Sequence, residues 1–179
     1  ESEMEKLLDD EEMWCADDYK DMRARTIITL FYETGIRLSE LIGLNDSSVD
    51  LTGCYLKVLG KGNKQRKVYF DARTKIHLQN YLDERTDDND ALFVTLLAPY
   101  NRLQISGVEI RLRHLGRELN IHKVHPHKFR RTLATMAIDK GMPIEQVQHL
   151  LGHQSLDTTL QYAMVNQANV KLSHRKFIG

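Results

Sequence analysis

The amino-acid sequence predicts a mainly α-helical protein with one small antiparallel β-sheet, an α+β class. Apolar residues recur at helical spacing along most of the 179 residues, in stretches closed by Gly35, Gly141 and Gly152. The period shortens to two at one place, where Tyr55 to Leu59 and Gln65 to Phe70 flank the turn Gly60-Lys61-Gly62-Asn63, a hairpin signal. With 41% hydrophobic and 28% charged residues and only three prolines, residues 1–179 read as one globular unit able to bury a proper core.

Each element follows from local pattern. Ser2 and Glu5 have capping-box spacing, and Met4, Leu7 and Leu8 form an apolar face ahead of the acidic run Asp9 to Glu12. A second helix is expected from about Asp21 to Thr34, with Ile27, Ile28, Leu30 and Phe31 inward and Gly35 as its stop. Arg37 then falls at a helix-to-helix junction, before a short helix burying Leu38, Leu41 and Ile42. After the hairpin, Asp71 starts a helix through about Tyr81, Ala91 to Thr95 reads as a short strand, and Ile105 to Leu119 as a basic helix. Pro126 precedes a helix whose inner face is Leu133, Met136 and Ala137. Pro143 suits the first turn of the next, which turns Ile144, Val147, Leu150 and Leu151 inward. Ser155 can cap a last main helix through Tyr162, and the tail from Val165 is a short amphipathic piece ending in basic residues.

The 25 Lys and Arg balance the 25 Asp and Glu, which by itself argues against a nucleic-acid binder. The balance is uneven, however: residues 1–21 hold ten acids and two bases, whereas residues 55–70 hold five bases and no acid. Residues 111–131 carry seven Lys and Arg against one acid. A basic face is therefore expected, with the acidic N-terminal helix turned away from it. Cys15 and Cys54 match no zinc spacing and are expected to be free thiols, as in a reducing compartment. No apolar run approaches a membrane span and the N-terminus is not a signal sequence, so the expected setting is the cytoplasm. The chain starts at Glu1 rather than a methionine, which leaves room for an upstream domain.

Five features could carry chemistry: Arg37, Lys61 in its hairpin, His127 with Arg130, His153 after Leu150-Leu151-Gly152, and Tyr162 nine residues later. Taken singly, each has a plain structural reading as a cap, a solvated turn lysine, an exposed helix face or a packed tyrosine. The pairs His125/His127 and His149/His153 allow a metal reading, but Gly152 ends the helix before His153 and no Cys, Asp or Glu stands at ligand spacing. The acidic run Asp9 to Glu12 points around its helix rather than at one ion. The glycines around Lys61 lack the spacing of a nucleotide phosphate loop. Together the features do have a chemical logic. Two arginine forks match a phosphodiester and the added charge of its transition state, each able to contribute ~3 kcal/mol. A phenol must lose a proton to attack phosphorus and the departing oxygen must gain one, for which His127 and Lys61 are the candidates. No metal or other cofactor is needed.

The boxes Thr34-Gly35-Ile36-Arg37-Leu38-Ser39-Glu40-Leu41, Leu59-Gly60-Lys61-Gly62-Asn63-Lys64, Pro126-His127-Lys128-Phe129-Arg130-Arg131-Thr132-Leu133-Ala134-Thr135, and Leu150-Leu151-Gly152-His153 through Tyr162 resemble the catalytic domain of the tyrosine site-specific recombinases, the lambda-integrase or Xer family. The resemblance implies that fold, with Tyr162 as nucleophile of a 3′-phosphotyrosyl intermediate. It further implies that Arg37 and Arg130 clamp the scissile phosphate, His153 donates a hydrogen bond to it, Lys61 protonates the leaving 5′-oxygen, His127 exchanges a proton near the tyrosine, and Glu40 orients the site. Lys64, Arg66, Arg111, Arg113, Lys128 and Arg131 are expected to bind DNA. Arg131 stands where many relatives carry a second histidine. The partners implied are double-stranded recombination sites and a homotetramer built on them by exchange of the C-terminal segment, with a monomer free in solution. An N-terminal core-binding domain is expected to lie outside this chain. A type IB topoisomerase or a non-catalytic DNA-binding module are the alternatives.

Overall fold

The computed structural model describes residues 3–9, 13–15, 17–162 and 174–178. Helix α1 (Glu3–Asp9) buries Met4, Leu7 and Leu8, the three residues that give it an apolar face. Ser2, the acidic residues at 10–12 and the tail at 163–173 lie outside the described residues. Helix α2 (Tyr19–Thr34) begins two residues earlier than its apolar pattern suggests, because the Asp18 carboxylate caps it by accepting the Lys20 amide. It ends at Gly35, whose left-handed φ of 58° lets its amide reach the Phe31 carbonyl. With Ile28, Leu30 and Phe31 fully buried, α2 is the axis of the core. Phe31 stacks on Phe129 with ring centroids 5.9 Å apart.

Helix α3 (Leu38–Ile42) follows, then a single 3-10 turn at Asp46–Ser48. The sheet is antiparallel, in the order β1 (Val49–Asp50), β2 (Tyr55–Leu59), β3 (Gln65–Tyr69). The hairpin register pairs Tyr55 with Tyr69 and Leu59 with Gln65, so Leu56, Val58 and Val68 face the core. The two-residue β1 carried no alternation and was not predicted. Helix α4 (Ala72–Asp83) is capped by Asp71, which accepts the amides of Arg73 and Thr74. Helix α5 (Ile105–Glu118), helix α6 (Pro126–Asp139), helix α7 (Ile144–Leu151) and helix α8 (Leu156–Leu160) complete the order. Helix α8 ends before Tyr162, which lies in the turn beyond it rather than in the helix.

The run Ala91 to Thr95 is a buried irregular segment and not a strand. Its pairing partners change sides: the Leu92 amide bonds to Leu44, while the Phe93 carbonyl accepts from Leu103. The Arg85 guanidinium takes the Ala91 and Leu92 carbonyls, so no continuous ladder forms and only two isolated bridges remain. Beside the main core, Leu133, Ala134, Ala137, Val147 and Leu151 form a second apolar cluster between α6 and α7, with Tyr162 packed at its edge. Cys15 and Cys54 are free thiols. Among the described residues no helix is long and apolar enough to cross a membrane.

Candidate active site

Arg130 ties the site together. Pro126 starts α6 at a position where its missing N–H costs nothing, and Arg130 lies one turn on, only 4% exposed. Its Nη1 donates to the Gly35 carbonyl and its Nη2 to the Leu151 carbonyl. These are main-chain acceptors at the ends of α2 and α7, so one guanidinium joins three helices. Two of its five N–H donors are thereby used, leaving three for a ligand. Burial first, and then the nearby positive charge of Arg37, brings its pKa down to about 10, which leaves it cationic at neutral pH.

Arg37 stands at the start of α3. Its amide donates to Glu40 Oε2 at 2.9 Å, its Nη1 to Glu40 Oε1 at 3.1 Å and its Nη2 to the Gly152 carbonyl at 3.1 Å. Glu40, 6% exposed, also receives the Arg66 fork, Nη1 on Oε1 at 2.6 Å and Nη2 on Oε2 at 2.9 Å. Burial alone would raise the Glu40 pKa. The hydrogen bonds from Arg66 and the Arg37 amide, with both positive charges, outweigh it and hold the carboxyl below the usual range. Gly152 closes α7 in the left-handed conformation at φ 63°, and a Cβ there would lie 2.9 Å from Arg66 Cζ, so a bare glycine is required.

That turn delivers His153, whose Nδ1 is 2.8 Å from Thr159 Oγ1 and whose ring stacks on Tyr162 with centroids 6.0 Å apart. Burial, followed by the charges of Arg130, Arg37 and Arg66, pushes His153 down to about 4, so the ring is neutral at pH 7. The Thr159 contact fixes the plane of the ring, and in the tautomer in which the hydroxyl donates to Nδ1 it is Nε2 that carries the proton. Arg37, Lys61, Lys64, Arg66 and His153 line one groove of about 1140 Å³, and His127, Lys128, Arg131 and Tyr162 line another of about 630 Å³. His153 thus lines the first groove and Tyr162 the second, and their rings stack on each other. Lys61 is exposed at the hairpin tip, where Gly62 and Asn63 take positive φ. Among the described residues no three His, Cys, Asp or Glu side chains stand close enough together to hold a metal ion.

The residues expected to bind DNA divide. Lys64 and Arg131 line the two grooves, and Arg113 lines an adjoining hollow of about 590 Å³ with Arg117, His122 and Lys123. Arg111 instead packs toward α2, 2.9 Å from Asp21 and 3.7 Å from Glu118, and Arg66 has its fork on Glu40. The acidic N-terminal helix is not turned fully away: Glu3 meets Lys128 at 2.5 Å, because burying Met4, Leu7 and Leu8 sets α1 close to α6. Sequence reasoning missed Thr159 and the Gly35 and Leu151 carbonyls, for which no local signal exists. Arg117 was legible, four residues after Arg113 on the same helical face.

The fold and this site define a tyrosine-recombinase catalytic domain. The chain aligns over its whole length with 65% of the XerA recombinase structure, at TM-score 0.80 and 31% identity. It aligns over 99% of its length with 53% of XerH site-specific recombinase bound to difH substrate, at TM-score 0.81 and 24% identity. Residues 1–169 match the phage integrase family, and the chain belongs to it. Among relatives, tyrosine recombinase XerC of Leptospira interrogans serogroup Icterohaemorrhagiae serovar copenhageni is 40% identical over 165 residues, which is 90% of this chain and 52% of that protein. Tyrosine recombinase XerC of Staphylococcus saprophyticus is 35% identical over 176 residues, 96% of this chain and 58% of that protein. The chain therefore spans between half and three-fifths of the length of these relatives.

Proposed function

We propose that the chain is the catalytic domain of a site-specific DNA recombinase that cuts and rejoins strands through a covalent phosphotyrosyl intermediate. The closeness of the Arg37 and Arg130 guanidiniums to the neutral His153, on whose ring Tyr162 is stacked, supports this reading. Arg37 and Arg130 bind the two non-bridging oxygens of a phosphodiester and stabilise the extra charge of the pentacoordinate transition state, with His153 Nε2–H as a third donor. The Tyr162 hydroxyl loses its proton to His127, across the groove they share, and its oxygen attacks phosphorus. The P–O5′ bond breaks and Lys61 gives the leaving oxygen a proton, forming a 3′-phosphotyrosyl ester and a free 5′-hydroxyl. A 5′-hydroxyl from a second duplex attacks that ester to rejoin the strands, so the bond energy is conserved without ATP. Positive charge at the phosphate comes from the protein, and the reaction is assigned no metal.

The basic groove receives double-stranded DNA; the structural neighbour XerH is described bound to difH substrate. The whole protein is proposed to work as a tetramer on recombination sites in the cytoplasm, exchanging the segment after Tyr162 and closing on the DNA with an N-terminal domain. Free in solution the chain is proposed to be a monomer. The test is covalent capture: the chain is incubated in EDTA with randomised duplexes nicked near the scissile position, and DNA bound through protein is recovered and sequenced. An adduct mapping to Tyr162, absent from Tyr162→Phe, is expected. Adduct formation that persists in Tyr162→Phe, or none on any recovered sequence, overturns the proposal.

A further inference from the structure

Arg66 has the residue type of a phosphate contact and the surroundings of something else. It lies on β3, five residues after Lys61, and its side chain is 9% exposed. Both Nη atoms sit on the two oxygens of Glu40, and Nε is 3.4 Å from the Leu150 carbonyl. Its guanidinium also fills the space above Gly152, the residue that accepts Arg37 Nη2 and precedes His153. The same two Glu40 oxygens hold Arg37, one through its amide and the other through Nη1.

We infer that Arg66 is a positioning residue for strand cleavage: it locks Glu40 and the Gly152 turn, and so sets the orientation of Arg37 toward the scissile phosphate. A bidentate fork fixes both distance and plane, which a lysine ammonium cannot do. Without the fork, Glu40 is free to rotate about its terminal torsion and Arg37 loses a defined partner. Two of the three Arg37 contacts are to Glu40 itself and the third is to the Gly152 carbonyl, so both anchors of this one-third-exposed side chain are groups that Arg66 holds. The role also links the strand that follows the Lys61 turn to the arginine site. This inference rests on the reading of Arg37 as a ligand of the phosphate.

Arg66→Lys and Arg66→Gln separate this role from DNA contact. The assay is single-turnover adduct formation on a captured site, made once with an ordinary scissile phosphodiester and once with a methylphosphonate there. The methyl group removes the non-bridging negative charge, and with it the demand for a well-aimed guanidinium. Both variants are expected to cleave the phosphodiester about 10²-fold more slowly than wild type and the methylphosphonate at close to the wild-type rate. Duplex affinity and its salt slope are expected to be unchanged in both. Wild-type cleavage by Arg66→Lys, an equal loss on both substrates, or a salt slope reduced by about one in Arg66→Gln overturns the inference. If Arg66→Gln does not fold by circular dichroism, Glu40→Gln supplies the same comparison and must show the same split between substrates. A wild-type chain that forms no adduct overturns the recombinase reading, and this inference with it, whereas a failure confined to the Arg66 variants leaves that reading intact.

Discussion

Replacing Gly35 by alanine tests whether the junction between α2 and Arg37 is as tightly built as the structure describes. The residue has φ 58°, and a Cβ there would lie 2.7 Å from Leu151 Cδ2 and 2.9 Å from Leu133 Cδ2. Both contacts are methyl groups at the ends of side chains, which could turn aside if they had room. Leu151 is 0% exposed and Leu133 8%, within the cluster between α6 and α7, so turning aside means overpacking a filled site. The left-handed backbone costs an alanine about 1 kcal/mol, and the overpacking adds about 1–3 kcal/mol. Gly141→Ala is the control: its φ is 90°, and a Cβ there would meet nothing within 4 Å, so only the backbone cost applies. Urea denaturation of the two variants should place Gly35→Ala about 1–3 kcal/mol below Gly141→Ala. Because the Gly35 carbonyl accepts Arg130 Nη1, adduct formation should also fall by about 10²-fold in Gly35→Ala and stay near wild type in Gly141→Ala. Equal denaturation midpoints for the two alanine variants would refute the packing argument.

Three further outcomes are expected. Glu40→Ala leaves the Arg66 guanidinium buried without its carboxylate and should cost about 3–5 kcal/mol, with a smaller loss when Arg66→Met is added to it; a double-mutant cycle by urea denaturation that finds no coupling overturns the assignment of this pair. Burial and neighbouring arginines hold His153 and His77 at about 4, so the unfolded chain takes up protons that the folded chain refuses. Their contribution to stability is therefore complete above about 6.5 and lost as pH falls through about 4, and replacing both by glutamine should flatten the fall in urea midpoint over that window. Asp71→Ala removes the cap of α4, worth about 1 kcal/mol, and should also let the Glu33 carboxyl, raised to about 7 by burial and by its hydrogen bond and charge interaction with Asp71, titrate lower in carbon-13 NMR.

Much of the architecture was legible because it is local. Gly35 and Gly152 stop helices wherever they fall, since the left-handed conformation is open to them at little cost. The Tyr55 to Phe70 stretch is a hairpin by alternation and turn chemistry alone, and its register follows from burying Leu56, Val58 and Val68. The family boxes likewise singled out Arg37, Lys61, Arg130, His153 and Tyr162 from a chain whose zero net charge pointed elsewhere.

What the tertiary structure decided is which partner each polar group takes. Nothing in the spacing of Arg66 and Glu40, 26 residues apart, separates an internal clamp from a DNA contact. Only the tertiary packing, which brings the Arg66 fork onto Glu40 and over the Gly152 turn, shows the internal partner. Arg111 and Arg113 are two positions apart on a basic helix, yet one meets Asp21 and the other lines an open hollow, because the burial of Val108, Leu112 and Leu115 fixes how α5 is rotated. Ala91 to Thr95 has the composition of a strand, and the arginine that takes two of its carbonyls lies outside the segment. Backbone preferences are properties of a few adjacent residues and survive in the sequence. The pairing of buried charges depends on which surfaces meet when the helices pack.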